Sequence, residues 1–385
     1  MKICIITLLH NNINYGGQLQ AYALQKYIQT LGYVCDQILI ENDPILHVGK
    51  YEDNKTLYEL YTEKVKHKLG KLLFKNQFKI RKNAVLSFTK KYITTSQKIR
   101  NVDNITEIIN LYDVFICGSD QIWNPMWLTK KMLNVYTLGF VEKKFNCISY
   151  SASFGLNNIL EEDLEFICER IKNFRAISVR ETIGKEILNK KINSEISVVV
   201  DPVLLLDQDF WDGLLEKPKV KEKYLFCYFL GEGKLSRKIA NIIAKKYNWK
   251  IISLPHFPSN IKISDIFFGN AQFYDITAID FLNLIRNAEM ILTDSFHATA
   301  FSIIFEKKFW VFRRSKKDTI SSRITNILAL TSLGDRYVHN DTHQVYKNSV
   351  WDKAVNYENG KSTLNNARLH SQAFLKDALG GTKNE

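Results

Sequence analysis

The chain has 385 residues, a mass of 44.8 kDa and 45% hydrophobic residues. This exceeds the size at which one hydrophobic core keeps growing, so two domains are expected. No window approaches the roughly 18 uninterrupted apolar residues of a membrane span, which argues against a membrane-spanning helix. The formal net charge of +13 is unevenly distributed.

The N-terminal stretch MKICIITLLHNN has a lysine and a short apolar run, as a signal peptide does. It lacks a small-residue cleavage site and leads directly into Gly16-Gly17, so it predicts a first β-strand and a cytoplasmic protein. The six cysteines form no C-x-x-C pair and stand mostly in apolar runs. They indicate small buried residues in a reducing compartment, and the sequence predicts neither a metal site nor a cofactor.

Apolar runs in the first half alternate with helical segments, which is typical of a parallel sheet covered on both sides. Predicted strands cover residues 3–8, 33–39, 114–117, 147–150, 177–179 and 198–200, and a helix over 18–31 ends at Gly32. After LEKPKVKEKY (215–224), strands at 224–230, 251–254, 290–293 and 309–312 alternate with helices at 236–247, 279–288 and 298–305.

This alternation predicts an N-terminal α/β domain over residues 1–215 and a C-terminal α/β domain over 222–345. A helical tail over residues 346–385 is expected to pack back on the body. The predicted fold class is α/β, with two Rossmann-like domains that face each other across a cleft and point their strand carboxyl ends into it.

Most of the excess charge lies in one segment. Between Lys50 and Arg100 there are fourteen Lys and Arg against four Asp and Glu, a net charge of +10. We predict a basic helical insertion here. It suits an anionic membrane surface, a phosphorylated substrate or nucleic acid, or it is a solvated pair of helices. Nucleic acid is not expected as a partner, because no known binding module is present.

The first polar junction is NINYGGQLQAYALQKYI, which places Asn14, Gly16, Gly17 and Gln18 between a strand and a helix. The glycines would let backbone N–H groups approach an anion at the helix N-terminus. The segment is not G-x-G-x-x-G and lacks the acidic residue that a dinucleotide ribose needs, so it does not predict nucleotide binding. A plain tight turn is the alternative.

The second junction is DVFICGSDQIWNP, where polar residues follow a strand that ends at Cys117. Carboxamides can bond sugar hydroxyls and an indole can stack on a sugar ring, so this stretch predicts a sugar-binding edge. The alternative is an Asp N-cap with a buried tryptophan. The candidate residues are Ser119, Asp120, Gln121, Trp123 and Asn124.

The segments YSASFG and ISVRETIG follow the next two strands and contribute Ser153 and Arg180. Arg180 comes directly after a buried strand, and a guanidinium suits a carboxylate or a phosphate. Its alternative role is a salt bridge to Glu181 or Asp201.

The fourth junction lies in EMILTDSFHATAFSIIF, between a buried strand and a buried helix. His297 falls in the first turn of that helix, with Asp294 or Ser295 as its cap. The helix N-terminus would lower the pKa of a charged His297 and would attract an anion, which suits a proton carrier beside a phosphate. The alternative is a structural histidine whose ring is buried in the core and hydrogen-bonded there.

Taken in order, NYGGQLQAYALQKYI, ICGSDQIWNP, SYSASFG, SVRE, DPVLLL and LTDSFHATAFSIIF resemble the polysaccharide pyruvyltransferase family over roughly residues 1 to 330. The resemblance implies the two-domain B-type glycosyltransferase-like fold, with the acceptor on the N-terminal domain and the donor on the C-terminal one. It also implies transfer of a pyruvyl group from phosphoenolpyruvate to hydroxyls of a glycan or lipid-linked oligosaccharide, as a ketal.

By position, Arg180 resembles a donor-binding arginine of the family, and His297 resembles the histidine of its C-terminal site. Many members carry an arginine where this chain has Ser295, so Arg313, Arg314 or Arg323 is expected to replace it. His297 would donate a proton or bind phosphate, Arg180 would hold the donor, and Asp120 would be the base for the acceptor hydroxyl. An anionic membrane surface is a further expected partner.

Two other functions remain open from the sequence. One is a glycosyltransferase that uses a nucleotide-sugar on the same architecture, since a fold does not fix a reaction. The other is a non-catalytic glycan-binding protein of a surface-polysaccharide operon.

Overall fold

A computed structural model of the chain describes residues 1–9, 12–40, 74–99, 102–126, 128–142, 144–255, 263–314, 321–338 and 350–380. The chain divides into two compact units. The first comprises Met1–Tyr51, Thr89–Leu206 and Thr363–Glu385, and the second comprises Glu52–Phe88 and Asp207–Ser362. Each unit is built on its own parallel sheet.

The first sheet has the strand order β3-β2-β1-β4-β5-β6-β7. Its strands are β1 (Lys2–Ile6), β2 (Val34–Ile40), β3 (Thr95–Ile99), β4 (Val114–Cys117), β5 (Cys147–Ala152), β6 (Ala176–Val179) and β7 (Ile196–Val198). Helices before Leu206 are α1 (Tyr15–Thr30), α2 (Lys75–Tyr92), α3 (Lys130–Tyr136), α4 (Glu161–Ile171) and α5 (Thr182–Leu188). Short 3₁₀ helices cover Val102–Leu111, Lys144–Asn146 and Pro202–Leu204.

The second sheet has the strand order β10-β9-β8-β11-β12-β13. Its strands are β8 (Tyr224–Tyr228), β9 (Lys250–Ser253), β10 (Ala271–Gln272), β11 (Met290–Thr293), β12 (Phe309–Phe312) and β13 (Tyr337–Val338). The helices after Leu206 are α6 (Gln208–Asp212), α7 (Lys234–Tyr247), α8 (Ile263–Ile266), α9 (Ala278–Arg286), α10 (Phe296–Ile304), α11 (Ser321–Leu330) and α12 (Glu358–Gly380), with 3₁₀ turns at Gly334–Arg336 and Val350–Asp352.

The predicted fold class is confirmed in its main feature, because both sheets are parallel and flanked by helices. The central strands β4, β8 and β11 are buried along their whole length, as apolar runs covered on both faces should be. All six cysteines are buried and unbridged. Burial raises the pKa of the Cys35 thiol to about 12, which makes it a poor nucleophile at neutral pH.

Three strands were not predicted from the sequence: β3, β10 and β13. In the predicted basic insertion, residues 75–92 form α2, but residues 95–99 form the edge strand β3 instead of continuing a helix. Residues 50–73 of that insertion lie outside the described residues. α1 begins three residues earlier than predicted, so Gly16 and Gly17 belong to its first turn and not to a loop.

The C-terminal helix α12 contacts the segment after β7. Ser371 Oγ accepts a hydrogen bond from the Val200 N–H at 2.9 Å. The Arg368 guanidinium donates to the Leu204 carbonyl at 2.7 Å, and Gln372 donates to the Leu205 carbonyl at 2.9 Å. Leu375 is fully buried.

Candidate functional site

Each sheet reverses its strand order once, and the predicted junctions lie at these reversals. In the first sheet the chain builds outward from β1 to β3 and then returns to place β4 on the other side of β1. The second sheet repeats this pattern with β8 and β11. In such sheets the crevice beyond the carboxyl ends of the two central strands is where ligands bind.

At the first reversal, α1 begins with an Asx cap. The Asn14 side chain accepts the Gly16 N–H at 3.0 Å. A Cβ on Gly17 would come within 2.3 Å of the Asn12 amide nitrogen, so a side chain here would have to displace that of Asn12. The Gln18 amide donates to the Asn12 carbonyl at 2.7 Å. Gln18 and Gly17 therefore shape the turn, and the exposed Asn14 is its accessible polar group.

Buried hydrogen bonds between polar side chains and backbone groups join the ends of β1 and β4. The sequence motifs did not predict this bridge. The Gln20 amide donates to Thr7 Oγ1 at 3.1 Å, and its carbonyl oxygen accepts the Ser119 N–H at 3.3 Å. Thr7 in turn donates to the Ser119 carbonyl at 3.0 Å. The available signal was the run of glutamines in α1, because Gln18, Gln20 and Gln25 lie among its apolar residues and buried amides need hydrogen-bond partners.

Arg180 lies at the centre of a carboxylate cluster. Its side chain is 3% exposed, and its Nη1 is 2.7 Å from Asp201 Oδ2. Nε lies 3.6 Å from Glu181 Oε2, and Nη2 lies 3.8 Å from Asp120 Oδ1. Burial alone would lower the pKa of Arg180, but the carboxylates of Asp201, Glu181 and Asp120 raise it above its ordinary value. The structure therefore contains the salt bridges of Arg180 with Asp201 and Glu181 that were the alternative role.

Within this cluster Asp120 is the most accessible acid. Its side chain is 14% exposed, against 2% for Glu181 and 0% for Asp201. Its backbone has φ of 69°, the left-handed region that non-glycine residues occupy at an energetic cost. Asp201 Oδ1 caps the following 3₁₀ turn by accepting the Val203 N–H at 3.1 Å. Asp120 therefore remains the carboxylate that an external hydroxyl could reach.

The other residues predicted around the second junction are more deeply placed. Ser119 Oγ donates to the Ser151 carbonyl, and Ser153 Oγ donates to Glu181 at 2.6 Å. Asn124 bonds the Met126 N–H at 2.9 Å and lies 3.3 Å from Gln121. Only Gln121 among these is partly exposed.

Trp123 does not offer a stacking face. Its indole is fully buried in the core of the first unit, and its Nε1 donates to the Tyr136 carbonyl at 3.1 Å. Its ring packs against Phe154 with centroids 5.7 Å apart. The buried-tryptophan alternative therefore describes this residue, whose ring fills part of the core and whose Nε1 has a partner.

At the second reversal, Asp294 ties the end of β11 to the loop after β8. Its two carboxylate oxygens accept the N–H groups of Leu230 at 2.6 Å and Gly231 at 2.8 Å. Asp294 is therefore not the helix cap considered from the sequence. A Cβ on Gly231 would meet both the Arg314 carbonyl and the Asp294 carboxylate, so the loop approaches its neighbours as closely as only glycine allows.

Arg237 holds the same loop from the other side, and the sequence reading missed it. Its guanidinium donates to the carbonyls of Gly231 and Gly233, each at 3.1 Å, and pairs with Asp265. The carbonyls of Gly231 and Gly233 thus point toward Arg237. In the sequence the Gly-x-Gly step after the predicted strand 224–230 marks this loop, but it does not indicate the role of Arg237.

His297 occupies the second position of α10, as predicted for the first turn. It is 6% exposed, and its ring makes an edge contact with Phe296 at 5.2 Å between centroids. Ser295 is the N-cap residue but makes no side-chain cap bond. The N-terminal N–H groups of α10 therefore begin just after Asp294, whose carboxylate holds the Gly231 loop.

Three arginines were candidates to replace a cation at Ser295. Arg314 Nη2 donates to the Asp294 carbonyl at 3.3 Å, which brings its guanidinium to this turn. Arg323 lies on α11 with its guanidinium 6.0 Å from the Phe296 ring centroid. Arg313 is exposed directly after β12. Arg314 and Arg323 thus contact residues of the turn, Arg314 through a hydrogen bond and Arg323 through an aromatic ring.

Among the described residues, no group of three or more His, Cys, Asp or Glu is arranged to hold a metal ion. Within the same ranges no helix is long and apolar enough to cross a membrane.

Comparison with known families gives one extensive match. The sequence model of the family described as polysaccharide pyruvyl transferase matches residues 14–316. No curated protein matches this chain closely enough to count as a relative.

Solved structures of similar fold include UDP-N-acetylglucosamine 2-epimerases. The one from Rickettsia bellii has a TM-score of 0.54 at 12% identity, covering 99% of this chain and 96% of the other. A putative one from Listeria monocytogenes has a TM-score of 0.51 at 13% identity, covering 100% and 98%. The Neisseria meningitidis enzyme bound to UDP-GlcNAc has 0.51 at 11%, covering 98% and 100%. At these identities the likeness shows a shared fold, with two parallel sheets of the B-type glycosyltransferase-like class.

Proposed function

Because this chain belongs to the polysaccharide pyruvyl transferase family, we propose that it moves a pyruvyl group from phosphoenolpyruvate to hydroxyls of a glycan or its lipid-linked precursor. The product would be a pyruvate ketal. The observation that carries the proposal is His297 in the first turn of α10, at the strand reversal of the second sheet. This is a position where an imidazole and helix N–H groups can meet an anion together.

The donor residues proposed are those around the His297 turn. Phosphoenolpyruvate carries a carboxylate and a phosphate, so it needs oriented N–H groups and at least one cation. The N-terminus of α10 supplies the first, and Arg314 is the preferred cation because it already donates to the Asp294 carbonyl. Arg313 and Arg323 are the remaining candidates for the cation missing at Ser295.

The proposed chemistry has two additions. Protonation of the donor methylene carbon, for which His297 is the candidate acid, leaves an oxocarbenium-like carbon that one sugar hydroxyl attacks. Loss of inorganic phosphate and attack by a second hydroxyl then close the ketal. General acid catalysis of this kind contributes about 10²–10⁴-fold.

The acceptor residues proposed are Asp120 as base and Gln121 and Asn14 as hydroxyl partners. Asp120 is supported by its access to solvent within the cluster. For Arg180, the geometry supports a positioning role more than the donor-binding role that the resemblance implies. An incoming phosphate would compete with three carboxylates for one guanidinium.

Ligand protection tests the proposal against its rivals. The melting temperature of the full chain is measured with phosphoenolpyruvate, with a nucleotide-sugar and with glycan acceptors in turn. Specific binding stabilises by about 2.7 kcal/mol at a hundredfold excess over Kd. We expect protection by phosphoenolpyruvate. Protection by the nucleotide-sugar alone would favour glycosyl transfer, and protection by glycans alone would favour a non-catalytic binding protein.

A further inference from the structure

Helix α2 carries the largest net charge of the helices and strands that the structure describes. Its 18 residues, KNQFKIRKNAVLSFTKKY, contain six Lys and Arg and no Asp or Glu. One face of it is anchored in protein, since Val85 and Phe88 are buried and Arg81 Nη1 donates to the Pro255 carbonyl. Because that face is fixed, the direction of the opposite face is fixed too.

Four lysines share the outward face. At 3.6 residues per turn, Lys75, Lys79, Lys82 and Lys90 fall within an arc of roughly 80° and along about 22 Å of helix. Lys75, Lys79 and Lys90 are exposed, and Lys82 is partly exposed. They form a straight row of charges, which we call the lysine face.

The lysine face has no acidic partners among the described residues. Many other lysines on the described surface are paired, as Lys191 is with Glu165 at 3.1 Å and Lys250 is with Glu222 at 2.6 Å. Within the ranges that the structure describes, Lys75, Lys79, Lys82 and Lys90 make neither a side-chain hydrogen bond nor an ion pair. Since no counter-charge from the described part of the chain offsets their mutual repulsion, these cations form a surface that an external anion would stabilise.

An exposed apolar side chain lies on the neighbouring side of the helix, about 80° around the axis from Lys90. Ile80 follows Lys79 directly and is 47% exposed. A phosphate-reading nucleic-acid surface gains nothing from an exposed isoleucine, whereas a lipid interface accepts both the lysines and the apolar group. The spacing of the lysines also need not match fixed positions of anions, because lipid headgroups present negative charge across a whole surface.

We propose that the lysine face of α2 docks the protein on an anionic lipid membrane surface. This proposal rests on the proposed function in one respect: a lipid-linked acceptor would lie at such a membrane surface and would give the protein a reason to bind there. The binding itself involves neither donor nor acceptor. Each lysine near an anionic leaflet strengthens binding by a factor of roughly five, and that attraction is lost within a Debye length.

The test is co-sedimentation of the full chain with vesicles of phosphatidylcholine alone and with phosphatidylglycerol added, at low and high salt. The variant replaces Lys75, Lys79, Lys82 and Lys90 by Gln. Its matched control replaces Lys190, Lys217, Lys221 and Lys245 by Gln, which removes the same charge from other positions. We expect binding to anionic vesicles only, lost at high salt, and weakened at least about tenfold in the variant but not in the control.

Equal weakening in variant and control, or equal binding to neutral vesicles, would overturn the proposal. So would lysine-face-dependent binding to a single-stranded RNA oligonucleotide without binding to vesicles. The melting-temperature shift with phosphoenolpyruvate is measured on the same variant. If the variant keeps the melting-temperature shift but loses vesicle binding, docking by the lysine face is supported. If neither the unchanged protein nor the variant shows the shift, while the unchanged protein still binds anionic vesicles, the proposed donor is wrong and the docking proposal stands.

Discussion

A buried guanidinium keeps its charge because carboxylates surround it, and Arg180 has Asp201, Glu181 and Asp120 within 4 Å. Arg180→Met should therefore leave Asp201 as a buried, uncompensated charge. We expect the free energy of unfolding of the first unit to fall by about 3–5 kcal/mol. Arg180→Lys keeps the charge but loses the planar fork, so its loss should be smaller. Denaturant unfolding of the full chain measures both.

The double variant Arg180→Met/Asp201→Asn distinguishes a structural charge pair from a donor-binding cation. It removes both charges, and Asn can still accept the Val203 N–H that Asp201 accepts at 3.1 Å. Recovery of a large part of the lost stability would show that Arg180 serves its carboxylates. If Arg180→Met instead keeps full stability but is no longer protected by phosphoenolpyruvate, Arg180 binds the donor.

His297 is the residue on which the proposed chemistry depends. His297→Ala should reduce phosphate release at least about 10²-fold, since it removes the candidate general acid. His297→Gln should keep part of the donor protection, because an amide can still donate a hydrogen bond. The control is His370→Ala, which changes an exposed histidine on α12. Near-normal phosphate release by His297→Ala would make His297 a core histidine.

At the scale of secondary-structure elements, the link between β11 and the loop after β8 depends on one carboxylate. Asp294→Asn places an amide NH₂ against one of two backbone N–H groups that now donate to Asp294. We expect a loss of about 1–3 kcal/mol in unfolding free energy, together with weaker phosphoenolpyruvate protection.

The matched control for this prediction is Asp275→Asn. Asp275 is 63% exposed and its Oδ2 lies 3.4 Å from Lys219 Nζ, a surface pair expected to contribute about 0–1 kcal/mol. If Asp294→Asn unfolds like this control and still binds phosphoenolpyruvate normally, the loop does not need Asp294 to hold its shape.

Buried strands could be predicted because they are continuous apolar runs, as in β11 with Met290–Thr293. The strands β3, β10 and β13 were missed since edge strands are short or polar, and TSQKI in β3 shows no apolar period. Of the site, the junctions were predicted because loops after parallel strands gather at one edge. Their contacts were not, since Asp294 and Leu230 are 64 residues apart and no local pattern joins them.

At the scale of the whole molecule, each sheet repeats one design. Both reverse strand order between two central strands, and in both a polar side chain bridges the two loops there. Gln20 links Thr7 to Ser119 in the first unit, and Asp294 links β11 to Gly231 in the second. Polar groups that satisfy buried backbone N–H groups where two loops meet fix the shape of those loops.

Helix α12 packs against the segment that follows β7 in the first sheet, and the Ser371 hydroxyl allows this contact to be tested. Ser371 Oγ accepts the Val200 N–H at 2.9 Å, next to Asp201, which pairs with Arg180. Ser371→Ala leaves that buried N–H without its acceptor, so we expect a loss of about 1–3 kcal/mol in unfolding free energy. Hydrogen exchange in a peptide that covers residues 198–205 should also become faster.

Ser362→Ala is the control on the same helix, because Ser362 is exposed and alanine has the higher helix propensity. It should leave stability unchanged or raise it slightly. The two changes alter the same chemical group in one helix, so a difference between them isolates the contact with Val200. Equal stability and equal exchange in both variants would show that α12 does not hold the segment that carries Asp201. In that case the shape of the Arg180 cluster would depend on the first sheet alone.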